Sequence, residues 1–136
     1  MHFKSFIIVT VLIAVVAMTL GCTSSSTNTS GTAMNAANVT ADRILNSFNT
    51  GNYNEFSANF SPTMLAATNQ SWFNATQNSI QAKYGNYQSR DPVPTAGVVQ
   101  GYNVYMYKSY FEKGNFTLQI TMNTTNVWQV EGIFFR

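Results

Sequence analysis

The feature that most constrains this chain is a change of hydrophobic period near Tyr87. Before it, apolar side chains recur every three or four residues, as on one face of a helix; after it they alternate, as on a strand. Ala41, Ile44, Leu45 and Phe48 share one helical face, with Thr40 or Asn38 placed to cap it and Gly51 placed to end it. Tyr53, Phe56 and Phe60 mark a short second segment that Ser61-Pro62 interrupts, with Met64 and Leu65 in a half-turn beyond it. A third helix is expected from a cap at Asn69 or Ser71 to Gly85, with Phe73, Thr76, Ile80 and Tyr84 on one face. Beyond Tyr87 the alternation predicts a short strand to Arg90 and the loop 91–97. Three long strands follow, Val98 to Phe111, Asn115 to Asn123 and Val127 to Phe135. Helices followed by a bent antiparallel sheet make an α+β layer arrangement.

The strand pattern carries an anomaly. Turning Phe116, Leu118, Ile120, Met122, Trp128, Val130 and Phe134 toward the helices, with Tyr102, Val104 and Met106, leaves Tyr105, Tyr107, Phe111, Ile133 and Phe135 opposite. A sheet face toward water is ordinarily polar. Two explanations stand: aromatic residues tolerated on both faces, or a contiguous apolar surface serving a homodimer or a protein partner.

The N-terminus reads as an address. Lys4 precedes the apolar run Ile7 to Met18, and Thr19-Leu20-Gly21-Cys22 follows, the order of a secretory signal with a small residue at the cut. The run falls short of the roughly 20 residues a membrane-spanning helix requires. Cys22, the one cysteine, stands where a lipoprotein peptidase would leave it, although the Leu usual three positions before the cysteine is Thr19 here. The expectation is a signal peptide over 1–21, an acylated Cys22 anchored to the cell membrane from the extracytoplasmic side, and a Ser/Thr/Asn-rich flexible tether over 22–39. The folded domain then occupies 40–136.

Processing also limits the chemistry. The one histidine, His2, leaves with the signal, and modification of Cys22 removes the only thiol. No Ser-His or Cys-His nucleophile system and no His/Cys metal cluster can then be assembled, and no cofactor is expected. Six basic side chains (the seven of the chain less Lys4) face five acids, which gives no electrostatic grip on nucleic acid. Charged residues make up 9% of the chain against about 25% in ordinary domains, so neutral polar groups must solvate the surface. Seven Asn-X-Ser/Thr triplets occur, at Asn28, Asn38, Asn59, Asn69, Asn74, Asn115 and Asn123. They suit either glycosylation, with Asn28 and Asn38 on the tether most accessible and Asn115 a further candidate, or accident in an Asn/Thr-rich chain.

Ile44-Leu45, Gly51-Asn52-Tyr53, Phe60-Ser61-Pro62-Thr63-Met64, Lys83-Tyr84-Gly85-Asn86-Tyr87, Phe111-Glu112-Lys113-Gly114 and Val130-Glu131-Gly132-Ile133-Phe134-Phe135 together resemble a domain of unknown function, number 3887. That group is placed among the cystatin-like, cone-shaped relatives of nuclear transport factor 2, and its members are often exported lipoproteins. The resemblance implies a curved sheet wrapped on helices around an apolar cavity, lined here by Tyr84, Tyr102 and Trp128. In relatives such as ketosteroid isomerase such a cavity holds an acid and a tyrosine. Asp42, Asp91, Tyr84 and Tyr102 are the candidates for those roles, though no matching motif carries them over. The expected function is a non-enzymatic module binding a partner or a small apolar ligand at the cell surface; the alternative is a small isomerase- or hydrolase-like enzyme.

Overall fold

The computed structural model describes residues 27–136, with side chains from residue 31 onward. The signal segment and Cys22 lie outside the described residues, as does the side chain of Asn28. Four helices precede five strands, confirming an α+β fold: α1 (Thr27–Thr50), α2 (Tyr53–Phe56), α3 (Pro62–Ala67), α4 (Gln70–Tyr84), β1 (Tyr87–Arg90), β2 (Thr95–Val99), β3 (Tyr102–Phe111), β4 (Gly114–Met122) and β5 (Val130–Phe135).

The first departure from expectation is the start of α1. A tether to residue 39 was expected, yet the helix begins at Thr27 and buries Ala33, Ala36 and Ala37 before it reaches Ala41, Ile44, Leu45 and Phe48. Alanine is the best helix former and needs no bulk to lie in a close helix contact, so an alanine stripe continues the apolar face without looking hydrophobic. The other helices are capped by side chains. Asn52, Ser61 and Asn69 each accept a backbone N–H bond, from Glu55, Met64 and Trp72 respectively. Ser61-Pro62 does separate two segments, but Pro62 starts the six-residue α3 where only a half-turn at Met64 and Leu65 was expected, because the first helical position has no backbone bond for proline to lose.

The sheet is antiparallel throughout. β3 pairs with β4 along one edge and with β1 and β2, end to end, along the other; β5 adds outside β4. The long first strand expected from Val98 is a hairpin: Gln100 and Gly101 have φ of 51° and 81°, and Val99 pairs with Tyr102. Two consecutive positive φ values make the tight turn whose twist suits a two-residue β-hairpin.

Two of the expected face assignments are inverted. In β3, Tyr105, Tyr107 and Phe111 face the helices, while Tyr102 is exposed and Val104 and Met106 are only half-buried. Register fixes this, because Tyr105 lies opposite Ile120 and Tyr107 opposite Leu118, and directly opposed residues share a face. In β5, Thr121 opposes Gly132 but Met122 opposes Val130, so Glu131 is an extra residue. A bulge of this kind shifts the alternation by one, putting Val130, Ile133 and Phe135 inward and leaving Phe134 48% exposed.

The core between the layers is aromatic. Phe48 stacks on Phe73 at 6.1 Å and meets Phe135 edge-on at 5.7 Å; Phe56 contacts Phe60 and Phe73 at 4.9 and 4.8 Å; Phe111 stacks on Phe116 at 4.6 Å. Offset and edge-to-face contacts of this kind add about 0.5–1.5 kcal/mol each beyond area burial. Polar side chains close the seams. Gln77 and Gln81 donate to the Phe48 carbonyl near the end of α1 at 2.9 and 2.7 Å. The Asn49 amide exchanges two 2.8 Å bonds with the Tyr87 backbone, fixing where β1 starts against α1.

Candidate functional site

Two polar arrangements stand out. The first is built around Arg90, the last residue of β1, whose side chain is 11% exposed. Its Nε and Nη2 donate to the two Asp42 carboxylate oxygens at 2.7 and 3.1 Å, a bidentate pair, and its remaining donors reach the carbonyls of Asp91 at 2.9 Å and Asn38 at 3.3 Å. The guanidinium lies over the Tyr107 ring at 4.7 Å, and the Tyr107 hydroxyl donates to Asn38 Oδ1 at 2.9 Å. Burial, the largest single influence, would lower the Arg90 pKa, but the bond with Asp42 and the attraction of Asp42, Tyr107 and Tyr87 together hold it above its usual value. Burial is also the main cause that raises Tyr107 well above the ordinary tyrosine range, and it raises Tyr87 and Tyr105 in the same direction. Among the described residues no buried side-chain polar atom is left without a partner, and this cluster fastens α1 to β1 and β3.

The second arrangement is an open groove of about 420 Å³ where α1, the α2–α3 connection and the β4–β5 loop meet. It is lined by Arg43, Ala58, Asn59, Phe60, Asn126, Trp128 and Gln129, residues that bring a guanidinium, an indole and three side-chain amides to one place. The backbone around it is fixed. Val130 N–H donates to the Asn59 carbonyl at 2.7 Å and Ser61 N–H to the Val130 carbonyl at 2.9 Å, a parallel bridge that ties the segment after α2 to β5. Arg43 Nη1 donates to Asn59 Oδ1 at 2.7 Å, orienting the amide and the guanidinium together. The loop is shaped by Asn123, whose Oδ1 accepts from the backbone of Thr125 at 2.8 Å and of Asn126 at 3.1 Å. No carboxylate is among the groove's lining residues.

The residues expected to line one cavity are dispersed. Tyr84 is half-buried at the end of α4, with its ring 5.4 Å from Phe116 and 6.0 Å from Phe111, under the hairpin at Gly114. Tyr102 is 40% exposed at the start of β3, and Trp128 is 39% exposed in the groove. Of the two acids considered for catalysis, Asp42 is bound by Arg90, and Asp91 accepts a 3.0 Å bond from the Tyr110 hydroxyl. That bond, more than burial, raises the Tyr110 pKa.

The asparagines of the Asn-X-Ser/Thr triplets mostly serve the fold. Asn38 was expected on a tether but is half-buried in α1 and bound to Tyr107. Asn59 is in the groove, Asn69 caps α4 and Asn123 organises a turn. Asn115 is exposed at the start of β4. Sequence reasoning missed Arg43, Asn59 and Gln129 as neighbours of Trp128. The one available signal was Arg43 on the polar side of an amphipathic helix whose other charge is the adjacent Asp42.

No curated protein and no solved structure matches this chain. A family model does match, over residues 41–127, from inside α1 to the loop that carries the groove. The chain belongs to the family described as Protein of unknown function (DUF3887).

Proposed function

We propose that this chain is a non-enzymatic binding module, held outside the cell membrane by an acylated Cys22, whose ligand site is the groove at Trp128. The observation that carries the reading is the groove's chemistry. A half-exposed indole stands beside three side-chain amides and one guanidinium, with no acid among them. Amides both donate and accept, a guanidinium donates in a planar fork, and an indole offers a flat apolar face with one N–H. Together they suit a polyhydroxylated ligand that lays a C–H face on the ring and exchanges hydrogen bonds at its rim, a glycan-like ligand, neutral or carrying a carboxylate for Arg43. This reading departs from the small apolar ligand expected from the sequence and puts a polar one in its place. The further placement among cone-shaped relatives of nuclear transport factor 2 is supported by helices laid on one face of a bulged antiparallel sheet.

The test is isothermal calorimetry of the full chain against neutral and uronic-acid oligosaccharides. Saturable binding is expected, lost in Trp128→Ala and weakened about tenfold in Arg43→Gln for the acidic ligands, as one charged hydrogen bond of about 1.5 kcal/mol implies. Binding that is equal in Trp128→Ala and the unsubstituted chain would place the ligand elsewhere and reject the groove.

A further inference from the structure

Among the described residues, the outer edge of the sheet formed by β2 has no charge, proline or bulge within the strand and no element covering it, although Pro94 precedes it. All five residues of Thr95-Ala96-Gly97-Val98-Val99 are exposed, none is charged, and β2 pairs with β3 alone among the described residues. Natural edges are blunted by lysine, proline, bulges or a covering element, because an open edge offers unpaired N–H and C=O groups to another strand. The pairing with β3 runs in register from Thr95 to Val99 with no bulge. In a two-residue hairpin the residues flanking the loop form a hydrogen-bonded pair, and such pairs alternate along the ladder. Val99, Gly97 and Thr95 therefore direct their backbone groups to β3, and Ala96 and Val98 direct theirs outward.

Gly97 supplies the second observation. Its φ is not positive, and a Cβ built on it would meet nothing within 4 Å. Nothing within the chain calls for glycine there, although glycine weakens a strand interior. What glycine does permit is the close approach of another backbone.

We infer that β2 is the contact of a symmetric homodimer, in which the β2 strands of two copies run antiparallel about a two-fold axis at Gly97. In that register Ala96 of one copy forms a hydrogen-bonded pair with Val98 of the other, and the second such pair follows by symmetry. The two residues that direct their backbone groups outward are the two that meet. Gly97 faces its own counterpart at a non-hydrogen-bonded position, where Cα atoms come within about 4.5 Å and side chains are closest. Thr95 lies across from Val99, so no charge meets a like charge. The contact continues the sheet of one copy into the other and does not involve the groove.

A cysteine scan of the full chain tests the register. Gly97→Cys brings two thiols to the axis at a separation a disulfide tolerates, whereas Thr95→Cys leaves its two thiols about 13 Å apart along the strands. Under mild oxidation Gly97→Cys is expected to give a covalent dimer at several-fold higher yield than Thr95→Cys, with the unsubstituted chain, carrying only Cys22, as the baseline. Sedimentation of the unsubstituted chain should show a dimer that Val98→Pro converts to monomer, with the circular dichroism spectrum unchanged. Equal crosslinking at positions 95 and 97, a dimer that survives Val98→Pro, or a strict monomer that instead captures extended peptides at this edge would each overturn the assignment.

Discussion

Arg90 shows at the level of one residue how much here depends on partners that are far apart in sequence. Asp42 was legible as a candidate acid, but its neutralisation by an arginine 48 residues later was not, because nothing local encodes that pairing. The pair, the stacked Tyr107 ring and the bond to Asn38 form one unit. Arg90→Ala is expected to destabilise the fold by about 2–3 kcal/mol, since it removes a bidentate bond and a guanidinium lying over an aromatic ring. Tyr107→Phe should cost about 1 kcal/mol, the value of one neutral hydrogen bond. Chemical denaturation of both variants measures this, and a change below about 0.5 kcal/mol for Arg90→Ala would show that the cluster does not fasten α1 to the sheet.

Tyr107 also has a pH consequence. Burial holds its folded-state pKa above the unfolded value near 10, so its contribution to stability is complete below about pH 10 and is lost as pH rises beyond that. Melting temperature should therefore fall steeply above about pH 10, and less steeply in Tyr107→Phe. Parallel curves for the two proteins would contradict this.

Among the elements, the helices were more legible than the strand faces, and the reason is physical. A helix announces itself by large side chains on one stripe plus caps, and Asn69, Gly85 and the Phe73–Ile80 face of α4 stood where expected. The early start of α1 was hidden because its buried face is alanine. Strand faces depend on parity, and one hairpin or one bulge reverses it. The Gln100-Gly101 turn divided an expected strand in two, and the extra Glu131 exchanged Phe134 for Phe135 in the core. Two predictions belong to this scale. Ala37→Asp, at a fully buried site of α1, should cost about 3 kcal/mol or more and expose the first turns to protease; full protection would contradict the early start of the helix. Gly85→Ala places a Cβ 2.5 Å from Glu112 Oε2 at a φ of +75°, and the expected loss is about 1–3 kcal/mol, read as a fall in the denaturation midpoint.

For the whole molecule, the α+β class and the order of helices before strands were readable from the change of period at Tyr87, whereas the groove was not. Its components come from three separate parts of the chain, Arg43 in α1, Ala58 to Phe60, and Asn126 to Gln129, and meet only because the parallel bridge from Phe60 to Val130 draws them together. The early start of α1 also alters the proposed anchor. With an acylated Cys22, only five residues separate the lipid from Thr27, a reach of at most about 18 Å, so the domain would sit close to the membrane surface.

The central claim is that Trp128 receives a polar ligand, and the two tryptophans allow one direct measurement. In ¹⁵N-labelled full chain, titration with the oligosaccharide that calorimetry selects should move the indole N–H resonance of Trp128 saturably and leave that of Trp72, which stacks on Phe56 at 6.0 Å, in place. A Trp128 resonance unmoved at saturating ligand would contradict the account.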